Sequence, residues 1–178
     1  MPTKKTTTPA TTKASTTKKP AAKKPATKGK STAAASGRRS RVGSHDLVIV
    51  ESPAKARTLQ GILGSGYEIT ASVGHVRDLP NSKLGVDVDN EFLPQYIVPR
   101  EKKDVVNKIK EMATTANTIY LATDPDREGE AISWHLVEAA GLEGRPLQRV
   151  VFHEITAGAI QEAFAHPRDI DVALVDAQ

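Results

Sequence analysis

The chain has 178 residues and carries 25 Lys and Arg against 21 Asp and Glu, which gives a formal net charge of +4. It contains no cysteine, so disulfides and thiolate metal sites are excluded, in agreement with a cytosolic location. No run approaches the roughly 20 apolar residues that a membrane span needs, and we expect no membrane partner.

The charge is divided unevenly along the chain. Residues 1–43 hold nine Lys together with Arg38, Arg39 and Arg41 and no acid, whereas the rest carries 13 bases and all 21 acids. Because this segment of mainly Thr, Ala, Lys, Pro and Ser lacks the apolar surface that offsets the entropy of ordering, we predict a disordered basic tail. Its expected use is contact with polyanions, nucleic acid first, and a role in solubility alone is the alternative.

Strand and helix signals alternate along the rest of the chain. The predicted strands are Asp46–Glu51, Tyr67–Val73, Thr118–Ala122 and Arg149–Phe152. The predicted helices are Pro53–Leu63 with Ser52 as its N-cap and Gly64 as its stop, Lys102–Ala116, Gly129–Ala140, and Ala157–Ala165 with Thr156 as its cap. A polar, Pro-rich stretch over residues 78–100 is typical of a long loop. This order, with nearly continuous apolar strands, predicts an α/β fold with a parallel sheet covered by helices on both faces.

Acidic residues follow two of the predicted strands. Val50 runs into Glu51, and the third strand runs into Asp124, Asp126 and Glu128. In an open α/β sheet functional groups gather beyond the carboxyl ends of the strands, so adjacent strands would bring these carboxylates together. Hard oxygen ligands without nearby Cys or His suit Mg²⁺. The alternative is that such acids only stabilise the positive end of the next helix, and this is the interpretation we adopt for Glu130.

Two further residues stand near these strand ends. Lys55 lies about one turn into its helix, where its ammonium would approach Glu51 or a bound phosphate, although a solvated lysine is the commoner outcome. Gly74 allows a tight turn that would present His75 at a strand end. For this histidine, a structural and a functional role carry equal weight.

Four ordered motifs in the chain resemble a known family. They are LVIVESPAKA at residues 47–56, SVGHVRDLP at 72–80, YLATDPDREGEAISWH at 120–135 and VVFHEIT at 150–156. Together they are similar to the N-terminal Toprim domain of the type IA bacterial DNA topoisomerases, and the basic tail resembles the actinobacterial branch. The resemblance implies a tail over residues 1–43, a Toprim domain over 44–168, and the truncated start of the next domain over 169–178.

The resemblance also implies a role for each candidate residue. Glu51 would bind metal and help to shuttle a proton to the leaving 3′ oxygen, while Lys55 would stabilise charge on the scissile phosphate. Asp124 and Asp126 would be the principal Mg²⁺ ligands, with Glu128 in support. His75 would contact DNA.

The reaction implied is ATP-independent relaxation of negatively supercoiled DNA through a 5′-phosphotyrosine. The partner would be a single-stranded segment of the duplex, and a monomer in the cytoplasm, associated with the nucleoid, is expected. Tyr67, Tyr96 and Tyr120 match no nucleophile motif of the family. We therefore expect the chain to be an N-terminal fragment that lacks its nucleophile and is inactive alone.

Two other classes of protein remain open at this stage. Another Toprim enzyme, a primase or a nuclease, would share the acidic motif but not residues 72–80 or the Trp134-His135 pair. A DNA-binding module without catalysis would use its tail and keep the acids for structure.

Overall fold

The computed structural model describes residues 45–178, so the predicted disordered tail over residues 1–43 lies outside the described part. Six strands run as β1 Asp46–Val50, β2 Tyr67–Ala71, β3 Val86–Asp87, β4 Leu93–Pro94, β5 Ile119–Leu121 and β6 Leu147–Arg149. Five α-helices run as α1 Pro53–Leu63, α2 Lys103–Thr115, α3 Arg127–Ala140, α4 Ala157–Ala165 and α5 Val172–Asp176. No helix of residues 45–178 is long and apolar enough to cross a membrane.

The main sheet is parallel and has the strand order β2-β1-β5-β6. Leu47 pairs with Ile119 and Ile49 with Leu121, which makes β1 and β5 direct neighbours. The carboxyl ends of these two strands therefore lie at one edge of the sheet, as the sequence predicted.

Helices cover both faces of this sheet. Alternate strand residues, such as Leu47 and Ile49, pack against α2 and α3 in one apolar core. The residues between them, such as Val48 and Val50, pack against α1 and α4 in a second core. Because side chains alternate across a strand, nearly continuous apolar strands are what a sheet buried on both faces requires. The predicted fold class is confirmed.

The ends of α1 and α4 were predicted correctly because their signals are local. The side chain of Ser52 accepts a hydrogen bond from the Lys55 amide at 3.3 Å, and Pro53 occupies the first turn, where its missing N–H costs nothing. Thr156 caps α4 through the Ala159 amide at 3.3 Å.

Two predicted elements differ most from the structure, and the bounds of the others agree to within two residues. The last sheet strand covers residues 147–149 and not 149–152. The Val150 amide still donates to the Leu121 carbonyl of β5 at 2.9 Å, and beyond it the chain leaves the sheet while Val150 and Phe152 stay buried in the second core. The expected loop over residues 78–100 contains the short antiparallel pair β3-β4 and a bridge between Asp78 and Ile97. Both strands of that pair have only two residues, too few for a periodic pattern.

The segment predicted to open the next domain, residues 169–178, packs against the Toprim-like part. Its helix α5 lies against α3, and the Asp171 amide donates a hydrogen bond to Glu130 Oε1 at 2.7 Å. The domain boundary after residue 168 stays a prediction.

Candidate active site

Glu51, Lys55 and Asp124 meet at the carboxyl edge of the sheet. The Lys55 ammonium lies 3.2 Å from Glu51 Oε2 and 2.9 Å from Asp124 Oδ1. Lys55 is only 6% exposed, and the Phe152 ring lies 4.8 Å from its Nζ. The solvated-lysine alternative is therefore wrong for this residue: a buried ammonium requires partners, and two carboxylates supply them.

The other two predicted ligands, Asp126 and Glu128, contact partners outside the Glu51-Lys55-Asp124 cluster. Asp126 caps α3, with its Oδ1 accepting a hydrogen bond from the Gly129 amide at 2.7 Å. Glu128 is 60% exposed and lies 3.6 Å from His75 Nε2. Among residues 45–178, no group of three or more His, Asp or Glu side chains is arranged to hold a metal ion as it stands. The predicted convergence thus holds for Glu51 and Asp124, whereas the positive end of the helix attracts Asp126.

The donor set nevertheless has the chemistry that Mg²⁺ requires. Every candidate ligand supplies carboxylate oxygen, and Mg²⁺ needs only one or two carboxylates when water and phosphate complete its shell. Asp124 is 57% exposed, so this carboxylate faces solvent at the sheet edge. An ammonium bridging two carboxylates also marks a position where positive charge is favoured.

Gly129 allows the acidic loop, residues 122–128 after β5, to lie close to the first turn of α3. A Cβ at this position would be 2.1 Å from the Asp124 carbonyl oxygen, far inside van der Waals contact. Only a residue without a side chain permits this approach, which turns the loop after β5 back over the first turn of the helix. Asp126, the N-cap residue of α3, accepts its hydrogen bond from this same Gly129 amide.

A buried arginine that the sequence analysis missed fixes the same loop. Arg149 is 1% exposed and donates hydrogen bonds to the carbonyl oxygens of Thr123 at 2.9 Å and Asp124 at 2.7 Å. Its Nε lies 3.0 Å from Glu130 Oε2, and the same oxygen accepts from Arg168 at 3.0 Å. Burial lowers the pKa of Arg149, and the adjacent Glu130 opposes that shift. The interpretation of Glu130 as a residue that only favours the helix terminus is therefore wrong.

The turn after β2 connects Glu51 to His75. Val73 adopts φ +58° and Gly74 φ +78°, a conformation that a β-branched residue such as Val73 rarely takes. The Gly74 amide donates to the Glu51 carbonyl at 2.9 Å, and the Lys102 ammonium donates to the Val73 carbonyl. The expected tight turn at Gly74 is confirmed, and it places His75 beside Glu128.

Residues 46–155 match the Toprim domain family, which is more than half of the chain. The chain therefore belongs to the Toprim domain family. Among solved structures it is similar to full-length topoisomerase I from Thermotoga maritima, with a TM-score of 0.69 and 47% sequence identity over 75% of this chain and 22% of that chain. The chain thus spans about a fifth of the length of that protein.

We predict that Gly129→Ala destabilises the chain by about 1–3 kcal/mol, the usual cost of overpacking. The new methyl group would push against the Asp124 carbonyl and displace the acidic loop. Urea unfolding followed by circular dichroism measures the change. Gly61→Ala is the matched control, because Gly61 lies inside α1 with no atom within 4 Å of an added Cβ, so that variant should be more stable than the parent chain. Equal stabilities for the two variants would contradict the close approach.

Proposed function

We propose that this chain is the Toprim part of a type IA DNA topoisomerase that relaxes negatively supercoiled DNA without ATP. In this proposal one strand is cleaved in a Mg²⁺-dependent reaction, held as a 5′-phosphotyrosine, and religated after strand passage. The observation that carries it is the Glu51-Lys55-Asp124 cluster at the sheet edge of a Toprim chain that is 47% identical to a topoisomerase I. That similarity favours a topoisomerase over a primase, a nuclease or a non-catalytic module.

The residues of the cluster have the properties that phosphoryl transfer needs. Lys55 would hold positive charge near the scissile phosphate, because its ammonium is already fixed between two carboxylates. Glu51, 3.2 Å from that ammonium, would carry the proton that the leaving 3′ oxygen takes up. Asp124 and Asp126 would hold Mg²⁺ with Glu128 in support, and the ion would supply charge stabilisation at the phosphate. His75 would contact the DNA strand next to Glu128.

Two of the three tyrosines of the described part, Tyr67 and Tyr120, are poorly suited to be the nucleophile. Tyr67 and Tyr120 pack edge to face with each other, with centroids 6.1 Å apart, and both contact Phe164 in the second core. Burial raises the pKa of Tyr120, with Asp46 contributing, which is opposite to the activation a nucleophile needs. We infer that the tyrosine comes from another domain of a longer protein. A monomeric state and a cytoplasmic, nucleoid-associated location also stay predictions.

The activity can be tested in a chimera in which residues 46–178 replace the matching segment of the Thermotoga maritima topoisomerase I. We predict that the chimera relaxes negatively supercoiled plasmid without ATP and that Glu51→Gln abolishes relaxation. Gel electrophoresis of plasmid topoisomers measures both results. Glu111→Gln, an exposed position on α2, is the matched control and should keep full activity. A folded chimera that relaxes plasmid equally well with and without Glu51 would contradict the proposal.

Metal binding can be measured on the chain itself by calorimetry with Mg²⁺. We predict that Asp124→Asn together with Asp126→Asn abolishes binding, because two ligand charges are lost. Asparagine at residue 126 keeps a side-chain oxygen for the N-cap of α3, so the helix is retained. The control neutralises two exposed acids of α2, Asp104→Asn with Glu111→Gln, and should bind Mg²⁺ as the parent chain does. Unchanged binding in the first double variant would rule out this metal site.

We propose that the basic segment over residues 1–43, which lies outside the described residues, contributes charge contacts to DNA. Deleting it should weaken duplex binding and flatten the dependence of binding on salt, because fewer counterions are released. Fluorescence anisotropy with a labelled duplex at several salt concentrations measures both quantities. If affinity and salt slope both survive the deletion, the segment serves solubility alone.

A further inference from the structure

A cavity of about 310 Å³ adjoins the candidate active site. Its lining includes His75, Arg77, Asp78, Tyr96 and His135. His75 belongs to both places, since its Nε2 lies 3.6 Å from Glu128 Oε1. A ligand in the cavity would therefore sit next to the acidic loop that follows β5.

Tyr96 and His135 of the lining belong to a cluster of aromatic rings that extends to Trp134 behind the cavity wall. The Tyr96 and His135 rings meet edge to face with centroids 4.6 Å apart, and Trp134 lies 4.9 Å from His135. The Arg77 guanidinium lies 5.0 Å from the Tyr96 ring and 5.1 Å from the Trp134 ring. Unstacked bases are held on walls of this kind, with aromatic rings and guanidinium planes as their supports.

His135, in the same wall, has a ring nitrogen without a hydrogen-bond partner among the described residues. It is only 6% exposed, and this nitrogen, Nδ1, is buried. Burial first, then the charges of Arg77 and His75, lowers its pKa to about 4, so the ring is neutral at pH 7. Buried polar atoms are normally satisfied, so a ring that lines the cavity with an unpaired nitrogen has a bond available to an ordered water or to a ligand.

The charges of the lining favour a base over a phosphate. Arg77 is already paired with Glu138 at 3.4 Å, and the Asp78 carboxylate belongs to the lining, where it would repel an anion. The volume is at the lower end of ligand pockets, which suits one planar base better than a larger group. A second cavity, lined by His153, Glu154 and His166, has no comparable ring cluster among its lining residues.

We propose that the cavity lined by His75, Arg77, Tyr96 and His135 receives one unpaired nucleobase of the DNA strand next to the cleavage site. This inference rests on the proposed function and adds how the site selects single-stranded DNA. A paired base could not enter, because its Watson–Crick edge and both faces are occupied in the duplex. The described domain would thus recognise an unstacked base in this cavity, in addition to the scissile-phosphate contact proposed for Lys55.

The test uses the full chain and two short oligomers, an oligothymidylate and an abasic oligomer of the same length. Both carry the same phosphates, so any contact of the basic segment contributes equally to the two affinities. Trp134 is the single Trp of the sequence and contacts the ring cluster, so its fluorescence reports on the cavity. With a metal chelator present, we expect the oligothymidylate to bind about tenfold more tightly than the abasic oligomer, as one stacked base would provide.

Variants of the lining residues test whether the cavity causes the preference for the oligothymidylate over the abasic oligomer. Tyr96→Leu and His135→Gln should each reduce it to within about twofold, as expected when a stacking partner is lost. His153→Gln, in the second cavity, is the matched control and should keep it. Because Tyr96 is partly exposed, its variant tests the proposal even if His135→Gln fails to fold. Equal affinities for the two oligomers, or a preference that survives Tyr96→Leu, would overturn the proposal.

Two further measurements separate this inference from the proposed function and from a free-nucleotide site. Asp124→Asn with Asp126→Asn should keep the base preference while losing Mg²⁺, so each idea can fail without the other. Thymidine monophosphate should bind much more weakly than the oligothymidylate. Equal affinity for the monophosphate would identify a site for free nucleotides and overturn the proposal.

Discussion

The buried ion pair between Arg149 and Glu130 is the interaction on which the geometry of the site depends. Both side chains are fully enclosed, and the Arg149 Nε lies 3.0 Å from Glu130 Oε2. Desolvating two charges is expensive, and their attraction offsets that cost only if the remaining donors and acceptors are satisfied. Here they are satisfied: Arg149 donates to the carbonyls of Leu121, Thr123, Asp124 and Val150, and Glu130 also accepts from Arg168 and the Asp171 amide.

This pair connects the part of the fold that carries Asp124. The last residue of β6 supplies the guanidinium, the first turn of α3 supplies the carboxylate, and the end of β5 lies between them as acceptor. The hydroxyl of Thr123 completes the arrangement through the Gly129 carbonyl at 2.6 Å and the Ser133 hydroxyl at 2.8 Å. The backbone of the acidic loop is therefore held by polar bonds, while its carboxylates at residues 124 and 128 are more than half exposed and accessible to a ligand.

The sequence predicted those features whose signals are local. Ser52 followed by Pro53 marks the start of α1, and Gly74 marks the turn before His75, because capping and positive φ angles restrict which residues are suitable. The parallel sheet followed from apolar strands alternating with helices, and it placed Glu51 and Asp124 at one edge. These predictions needed no knowledge of distant partners.

The missed features depend on contacts between residues far apart in the chain. Nothing near Arg149 indicates that its partner is Glu130, and an acid in the first turn of a helix is usually explained by the helix dipole. The available signal was an arginine beginning an apolar run, at a position where a strand would bury it. For Lys55, the spacing from Glu51 indicated the local contact correctly. Its burial could not be predicted in this way, because it depends on Asp124 and Phe152, which are distant in the sequence.

The partners of the four carboxylates would affect how strongly the site binds a metal ion. In the structure Lys55 pairs with both Glu51 and Asp124 and offsets part of their charge. The N-terminus of α3 binds Asp126, and His75 lies against Glu128. Each carboxylate thus has a local partner, so mutual repulsion among the four acids is reduced without any ion. A bound Mg²⁺ would replace some of these contacts, and its net affinity is the difference between new and lost interactions. Under the proposed function, such a site would bind the ion best together with a phosphate, because the phosphate oxygens would add ligands and give the Lys55 ammonium a new partner.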